Sequence, residues 1–371
     1  MSAQLSTEEI RRYQRHVTLP EVGEAGQLRL KQSSILVVGA GGLGSPAAMY
    51  LAAAGVGRLG LGDFDTVDES NLHRQILHGQ ADVGRHKLSS AEQTLKEINP
   101  YVELELYRDR LTAENAPMIF EDYDVILGGT DNFAATYLCN DACVMLKKPF
   151  VYGSIFQFQG QTSVFAVNDG PCYRCLFPEP PASGSVPDCA AGGVFGVLPG
   201  VIGTIQATEA IKVLLGIGKT LSGQFMTYDA LNMEFKKIAL NRDPGCPVCG
   251  NCPTITALAN VEVSCSVPTP EYHGDIDEVT LAHLLASDHP PKLLDVREPW
   301  ECQMGIIGDA VEIPLGQIDD RCGELDPDDV MVVYCKAGVR SQYAIDILGQ
   351  HGFKKLINLA GGYMAWQSLH S

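Results

Sequence analysis

The 371-residue chain is poor in cations: 27 Lys and Arg stand against 45 Asp and Glu, for a formal charge of −18. That balance repels nucleic-acid backbones and anionic lipid surfaces, which excludes general binding to either. An uninterrupted apolar run of spanning length is also missing. The most apolar stretch, 190–218, is broken by Pro199, Gln206, Glu209 and Lys212 and reads as a loop followed by a buried helix, not a membrane span. Met1 to Arg15 is polar and charged, without the apolar centre of a secretion signal, so the expected location is cytoplasmic. Internal repeats and low-complexity tracts are absent too.

Hydrophobic residues make up 45% of the chain and charged residues 19%, ample material for buried cores. A compact domain takes about 100–200 residues, so the length implies two or three domains. The apolar run at 32–38 leads into the glycine-rich turn 39–44 and then into the helix-forming segment 45–54. Further strands are expected at 58–62, ending in Asp63 and Asp65, and at 124–127, ending in Gly128 to Asp131. This alternation predicts an α/β fold with a Rossmann-like, doubly wound sheet and ligands at the carboxyl edge of its strands. The pattern loosens after Cys246, and the expected division is a first domain at 1–259, a linker at 260–272 and a small α/β domain at 273–371. Strands of the small domain are expected at 293–296, 331–334 and 356–359.

Gly39, Gly41 and Gly44 at a strand-to-helix turn suit phosphate binding, because glycine lets backbone N–H groups approach the anion. Taken alone, those glycines fit a nicotinamide dehydrogenase equally well. The residues that follow shift the reading: Asp63, Asp65, Asn71, Arg74 and Lys87, then Asp131 and Asn132, supply cations for phosphates and carboxylates for Mg²⁺. From Leu5 to Pro253 the chain resembles the ubiquitin-activating-type adenylyltransferases of the ThiF/MoeB branch, which activate ubiquitin-like sulfur carriers. The resemblance implies that Gly42 and its turn hold the ATP phosphates, Asp63 the ribose, Asn71, Arg74 and Lys87 the triphosphate, and Asp131 the magnesium. It assigns Asp65, Ser70, Leu72, His73 and Asn132 to the same nucleotide site. It also implies a homodimer in which Arg15 reaches the neighbouring subunit's ATP.

Twelve cysteines in a cytosolic chain point to metal or chemistry before disulfides. Cys172, Cys175, Cys246 and Cys249 form two Cys-x-x-Cys pairs with the ligand count of a closed, structural Zn²⁺ site, the alternative being one redox dithiol beside an incidental pair. Cys335 leads a loop between an apolar strand and a helix and ends at Arg340, an environment that favours a thiolate. That loop alone fits either a phosphatase or a sulfurtransferase. Together with 294–298 and 359–366 it resembles a rhodanese domain, which implies that Cys335 carries a persulfide and that Arg340 stabilises the transferred sulfur or its donor. Asp295 and Arg297 read as structural supports of the loop. The adenylyltransferase resemblance further implies that Cys189 forms a thioester or acyl disulfide with the carrier.

The two halves together resemble the fused adenylyltransferase/sulfurtransferases, a class that includes the molybdopterin-synthase-activating enzymes. The resemblance implies a partner protein ending in Gly-Gly, activated by ATP and converted to a thiocarboxylate for molybdopterin, thiamine or a related sulfur metabolite. A cysteine desulfurase or thiosulfate would load the persulfide. A dehydrogenase with an accessory rhodanese domain and a non-catalytic carrier scaffold are the competing readings.

Overall fold

The computed structural model describes residues 4–130, 132–180, 193–260, 274–285 and 290–369. These fall into two compact units, the first ending at 260 and the second starting at 274.

The first unit is built on an eight-stranded sheet of order β3-β2-β1-β4-β5-β6-β7-β8. Its parallel part comprises β1 (Ser34–Val38), β2 (Arg58–Gly62), β3 (Glu103–Tyr107), β4 (Val125–Gly128) and β5 (Phe150–Phe156). Antiparallel strands β6 (Gln159–Phe165), β7 (Gln224–Asp229) and β8 (Glu234–Ala239) extend one edge. Every residue of β1 is buried, as a strand covered on both faces requires. Alternation along it feeds two cores: Ile35 and Val37 join one hydrophobic cluster, Leu36 and Val38 the other.

Helices α1 (Gly44–Ala54), α2 (Lys87–Ile98) and α4 (Leu198–Leu215) contribute to the first cluster, and α3 (Phe133–Leu146) to the second. Among the described residues α4 is the one helix long and apolar enough to cross a membrane, yet it packs on α1, β4, β5 and β6. Its apolar composition therefore matches a buried core helix. Strand order runs 3-2-1 to one side of the β1–β4 boundary and 4-5 to the other, so the chain reverses direction there. Loops leaving the carboxyl ends of β1 and β4 diverge, and the crevice between them is where this topology binds ligands.

The second unit holds five parallel strands in the order β11-β10-β12-β13-β9. They are β9 (Gly274–Ile276), β10 (Lys292–Asp295), β11 (Val311–Glu312), β12 (Met331–Tyr334) and β13 (Leu356–Leu359). Leu294 and Val333 face one core, Leu293, Val332 and Tyr334 the other, with α5 (Glu278–Leu285), α6 (Val339–Gln350) and α7 (Gly362–Leu369) completing the layers. The α/β class and both sheets agree with the sequence reading. Asn260, expected as the first linker residue, instead accepts a hydrogen bond from the Ala113 N–H at 2.8 Å within the first unit. The remaining expected linker, 261–272, lies outside the described residues.

Candidate functional site

At the β1–β4 switch point lies a cavity of about 610 Å³. Nine of the expected nucleotide residues line it: Gly39, Gly41, Gly42, Asp63, Asp65, Asn71, Arg74, Lys87 and Asn132. The glycines divide into two kinds. Gly39 has φ +99°, and a Cβ there would sit 2.8 Å from the Gly129 carbonyl oxygen, while a Cβ on Gly44 would collide with the Gly39 carbonyl. Those two are required by packing of the turn itself. Gly41 and Gly42 would instead meet only the side chains of Gln75, Pro199 and Arg74, at 3.2 Å or more, so they leave the cavity floor as bare backbone. Gly44 opens α1 behind this floor.

Asp63 accepts from the Ala40 N–H at 2.8 Å and from the Asp65 N–H at 2.9 Å, which ties the end of β2 to the glycine turn. Lys87 is buried and places Nζ 2.8 Å from Asp65 and 3.9 Å from Asp63. Arg74 donates to Asn71 Oδ1 at 2.7 Å. Two cations and a bare backbone turn thus converge on one cavity, the donor set a polyphosphate needs. Ser70, Leu72 and His73 do not line it; they form the turn that aims Arg74, whose guanidinium also reaches the Ser70 carbonyl at 3.3 Å. Asn132 caps α3 by accepting from the Ala135 N–H. Asp131 lies outside the described residues. Arg15 is exposed on the helix Gln14–Val17 and is not among the cavity residues.

Other residues lining the cavity are assigned no role by the sequence. Gln75 is 5% exposed, and its Oε1 has no hydrogen-bond partner among the described residues. Arg110 stacks 4.3 Å over the Phe64 ring, and Asn260 arrives from far along the chain.

Elsewhere in the first unit the sulfurs of Cys172, Cys175, Cys246 and Cys249 lie within 4.8 Å of one another. The close pairs are Cys175 to Cys249 at 3.3 Å, Cys172 to Cys246 at 3.6 Å and Cys172 to Cys175 at 4.0 Å. Tetrahedral zinc with bonds of about 2.3 Å sets sulfurs about 3.8 Å apart, so the donor set fits that metal. Cys252 is exposed and outside this group.

In the second unit Cys335 follows β12 directly and is buried. Its carbonyl accepts the Tyr363 N–H at 2.8 Å, and Gly338, at φ +86°, turns the loop into α6. The Ser341 hydroxyl lies 3.5 Å from Cys335 Sγ and donates to Asn358 Oδ1 at 2.6 Å. Arg340 does not stand free: it forms a two-pronged pair with Glu301 at 2.6 and 2.7 Å. Burial alone would raise the Glu301 carboxyl, but the Arg340 fork, the Glu298 N–H and the Arg297 charge together outweigh it and hold the group below its usual range. Asp295 and Arg297 form a second buried pair at 2.6 Å, and Arg297 also reaches the Gly305 carbonyl. Cys189 lies outside the described residues.

Comparison with known proteins follows the same division. The ThiF family pattern matches residues 13–248 and the rhodanese-like domain pattern residues 279–369. The chain is 45% identical to a probable adenylyltransferase/sulfurtransferase, MoeZ, of Mycobacterium tuberculosis, over 98% of this chain and 94% of the relative. It is 52% identical to a sulfur carrier protein adenylyltransferase of Thermus thermophilus, over 70% of this chain and 98% of that protein. Against the adenylyltransferase and sulfurtransferase MOCS3 of Drosophila ananassae the identity is 40%, over 98% and 84%. Among solved structures, E. coli MccB with ATP shares the fold, with a TM-score of 0.58 and 20% identity over 67% of this chain and 76% of that one. The chain therefore belongs to the ThiF family, as an adenylyltransferase and sulfurtransferase whose second part is a rhodanese-like domain.

Proposed function

We propose that the first unit uses ATP to adenylate the C-terminal glycine of a ubiquitin-like sulfur-carrier protein ending in Gly-Gly, and that the second unit exchanges the AMP for sulfur. The observation that carries this reading is the convergence of the bare Gly41–Gly42 turn with Arg74 and Lys87 on one cavity. The carrier carboxylate attacks the ATP α-phosphorus, a P–O bond forms, and the bond to pyrophosphate breaks. Arg74, Lys87 and the N–H groups of the turn face the negative charge that builds on the phosphates, where fixed donors act most strongly. When bound, Mg²⁺ neutralises phosphate charge, and Asp131 is its proposed ligand. Cys172, Cys175, Cys246 and Cys249 would hold a structural zinc.

The terminal sulfur of a Cys335 persulfide then attacks the acyl carbon and AMP departs, leaving an acyl disulfide on Cys335. A second thiol, proposed to be Cys189, attacks the Cys335 sulfur and expels the carrier thiocarboxylate. The disulfide left behind is returned to thiols by a cellular dithiol. A protein or small-molecule persulfide donor loads Cys335, and the thiocarboxylate supplies sulfur for a cofactor such as molybdopterin or thiamine. Arg15, exposed and without a partner among the described residues, is assigned to the ATP site of a second subunit. The nicotinamide reading that the glycines alone allow is not favoured, since the family is one of adenylyltransferases.

The test is ATP–pyrophosphate exchange with purified carriers ending in Gly-Gly, with Asp131→Ala as the blank. Exchange that depends on a carrier is expected. Failure with every carrier by a folded enzyme would leave only the sulfur-transfer half standing.

A further inference from the structure

The glycine turn is held by a residue outside its own sequence. Ala40 lies between Gly39 and Gly41, is 1% exposed, and has both backbone groups engaged by side chains. Asp63 takes its N–H. Its carbonyl precedes the helical ladder of α1, which starts with Ser45 N–H on Gly41 O, and so falls outside the helix's own bonding. His78 Nε2 lies 3.1 Å from that carbonyl, with the Ser45 hydroxyl a longer 3.5 Å away.

His78 is 6% exposed, and its Nδ1 lies 2.9 Å from Ser90 Oγ on α2. A carbonyl oxygen only accepts, so Nε2 carries the proton. Burial lowers the affinity of the ring for a second proton, against the opposing pull of the Ala40 carbonyl. The neutral ring then accepts from the Ser90 hydroxyl through Nδ1, although the Asp82 carboxylate also faces that hydroxyl. The chain of contacts runs from α2 through Ser90 and His78 to Ala40, which sits buried between the cavity-lining Gly39 and Gly41.

We propose that His78 is a positioning residue of the nucleotide site: through Nε2–H it fixes the Ala40 carbonyl and, with Asp63, sets the orientation of the Gly41 and Gly42 peptides toward the phosphates. This inference rests on the nucleotide reading given above. It predicts a dependence on where the donor sits. Gln places its amide nitrogen where Nε2 stands, whereas Asn places it where Nδ1 stands and leaves a buried carbonyl unmet.

The experiment is titration of Mg·ATP into the full-length wild type, His78→Gln, His78→Asn and Ser90→Ala, with heat of binding as the readout and circular dichroism as the check on folding. His78→Asn is expected to weaken ATP binding about tenfold, His78→Gln to stay within about threefold of wild type, and Ser90→Ala to fall between them. Equal affinities for the Gln and Asn variants would overturn the proposal. If the Asn variant does not fold, Ser90→Ala decides, and wild-type affinity there overturns it. Failure of the wild type itself to bind ATP would instead refute the nucleotide reading, and this inference with it.

Discussion

At the scale of single residues, the second unit's site is governed by paired charges. Arg340, which the rhodanese resemblance assigns to the transferred sulfur, has its fork occupied by Glu301, 39 positions away in sequence. A carboxyl whose pKa is lower folded than unfolded adds stability above its usual value, here 4.5, and loses that contribution as pH falls through the folded value. Glu301→Gln should therefore destabilise this unit by about 2 kcal/mol at pH 7, with the gap closing below the usual carboxyl range. Urea unfolding followed by tryptophan fluorescence reads this directly, because the chain's two tryptophans, Trp300 and Trp366, both lie in the second unit. A gap that stays constant down to pH 4 would contradict the assignment. Neither Glu301 nor His78 is legible in the sequence: each acts on a partner about 40 residues away that only the fold brings near.

At the scale of elements, pattern and fold agree at the strands named from the sequence, whereas β3 and the largely buried β5 are not among them. The runs at 58–62, 331–334 and 356–359 are strands with those same limits, and 32–38 and 124–127 shift by a residue or two. Strands β6 to β8 are a different matter. All of β8 is exposed, so it carries none of the apolar alternation by which a strand is recognised. The glycine turn, in contrast, is legible in full, and its steric logic can be tested. Gly44→Ala should lower ATP–pyrophosphate exchange on the order of a hundredfold by displacing the Gly39 peptide. Gly200→Ala, where a Cβ meets nothing within 4 Å, is the matched control and should leave exchange unchanged. Equal loss in both variants would show that general helix damage, and not the turn, is responsible.

At the scale of the whole molecule, the two Cys-x-x-Cys pairs are visible in sequence, and folding brings them together across 74 positions into a four-thiol cluster that could hold a metal. Purified protein should contain one zinc per chain. Cys246→Ser should lower that content and the melting temperature together, while a metal-free preparation of unchanged stability would remove zinc from the account. The joining of an adenylating unit to a sulfur-carrying unit has a chemical rationale. An acyl adenylate hydrolyses readily, and under the proposed function a persulfide carried on the same chain would meet it at high effective concentration. That coupling is the central claim, and mass spectrometry of a Gly-Gly carrier incubated with ATP, Mg²⁺, a persulfide donor and enzyme tests it most directly. With wild type the carrier should gain the mass of one oxygen replaced by sulfur. With Cys335→Ala it should stop at the adenylate while ATP–pyrophosphate exchange continues; thiocarboxylate formed at the wild-type rate by Cys335→Ala would contradict the account.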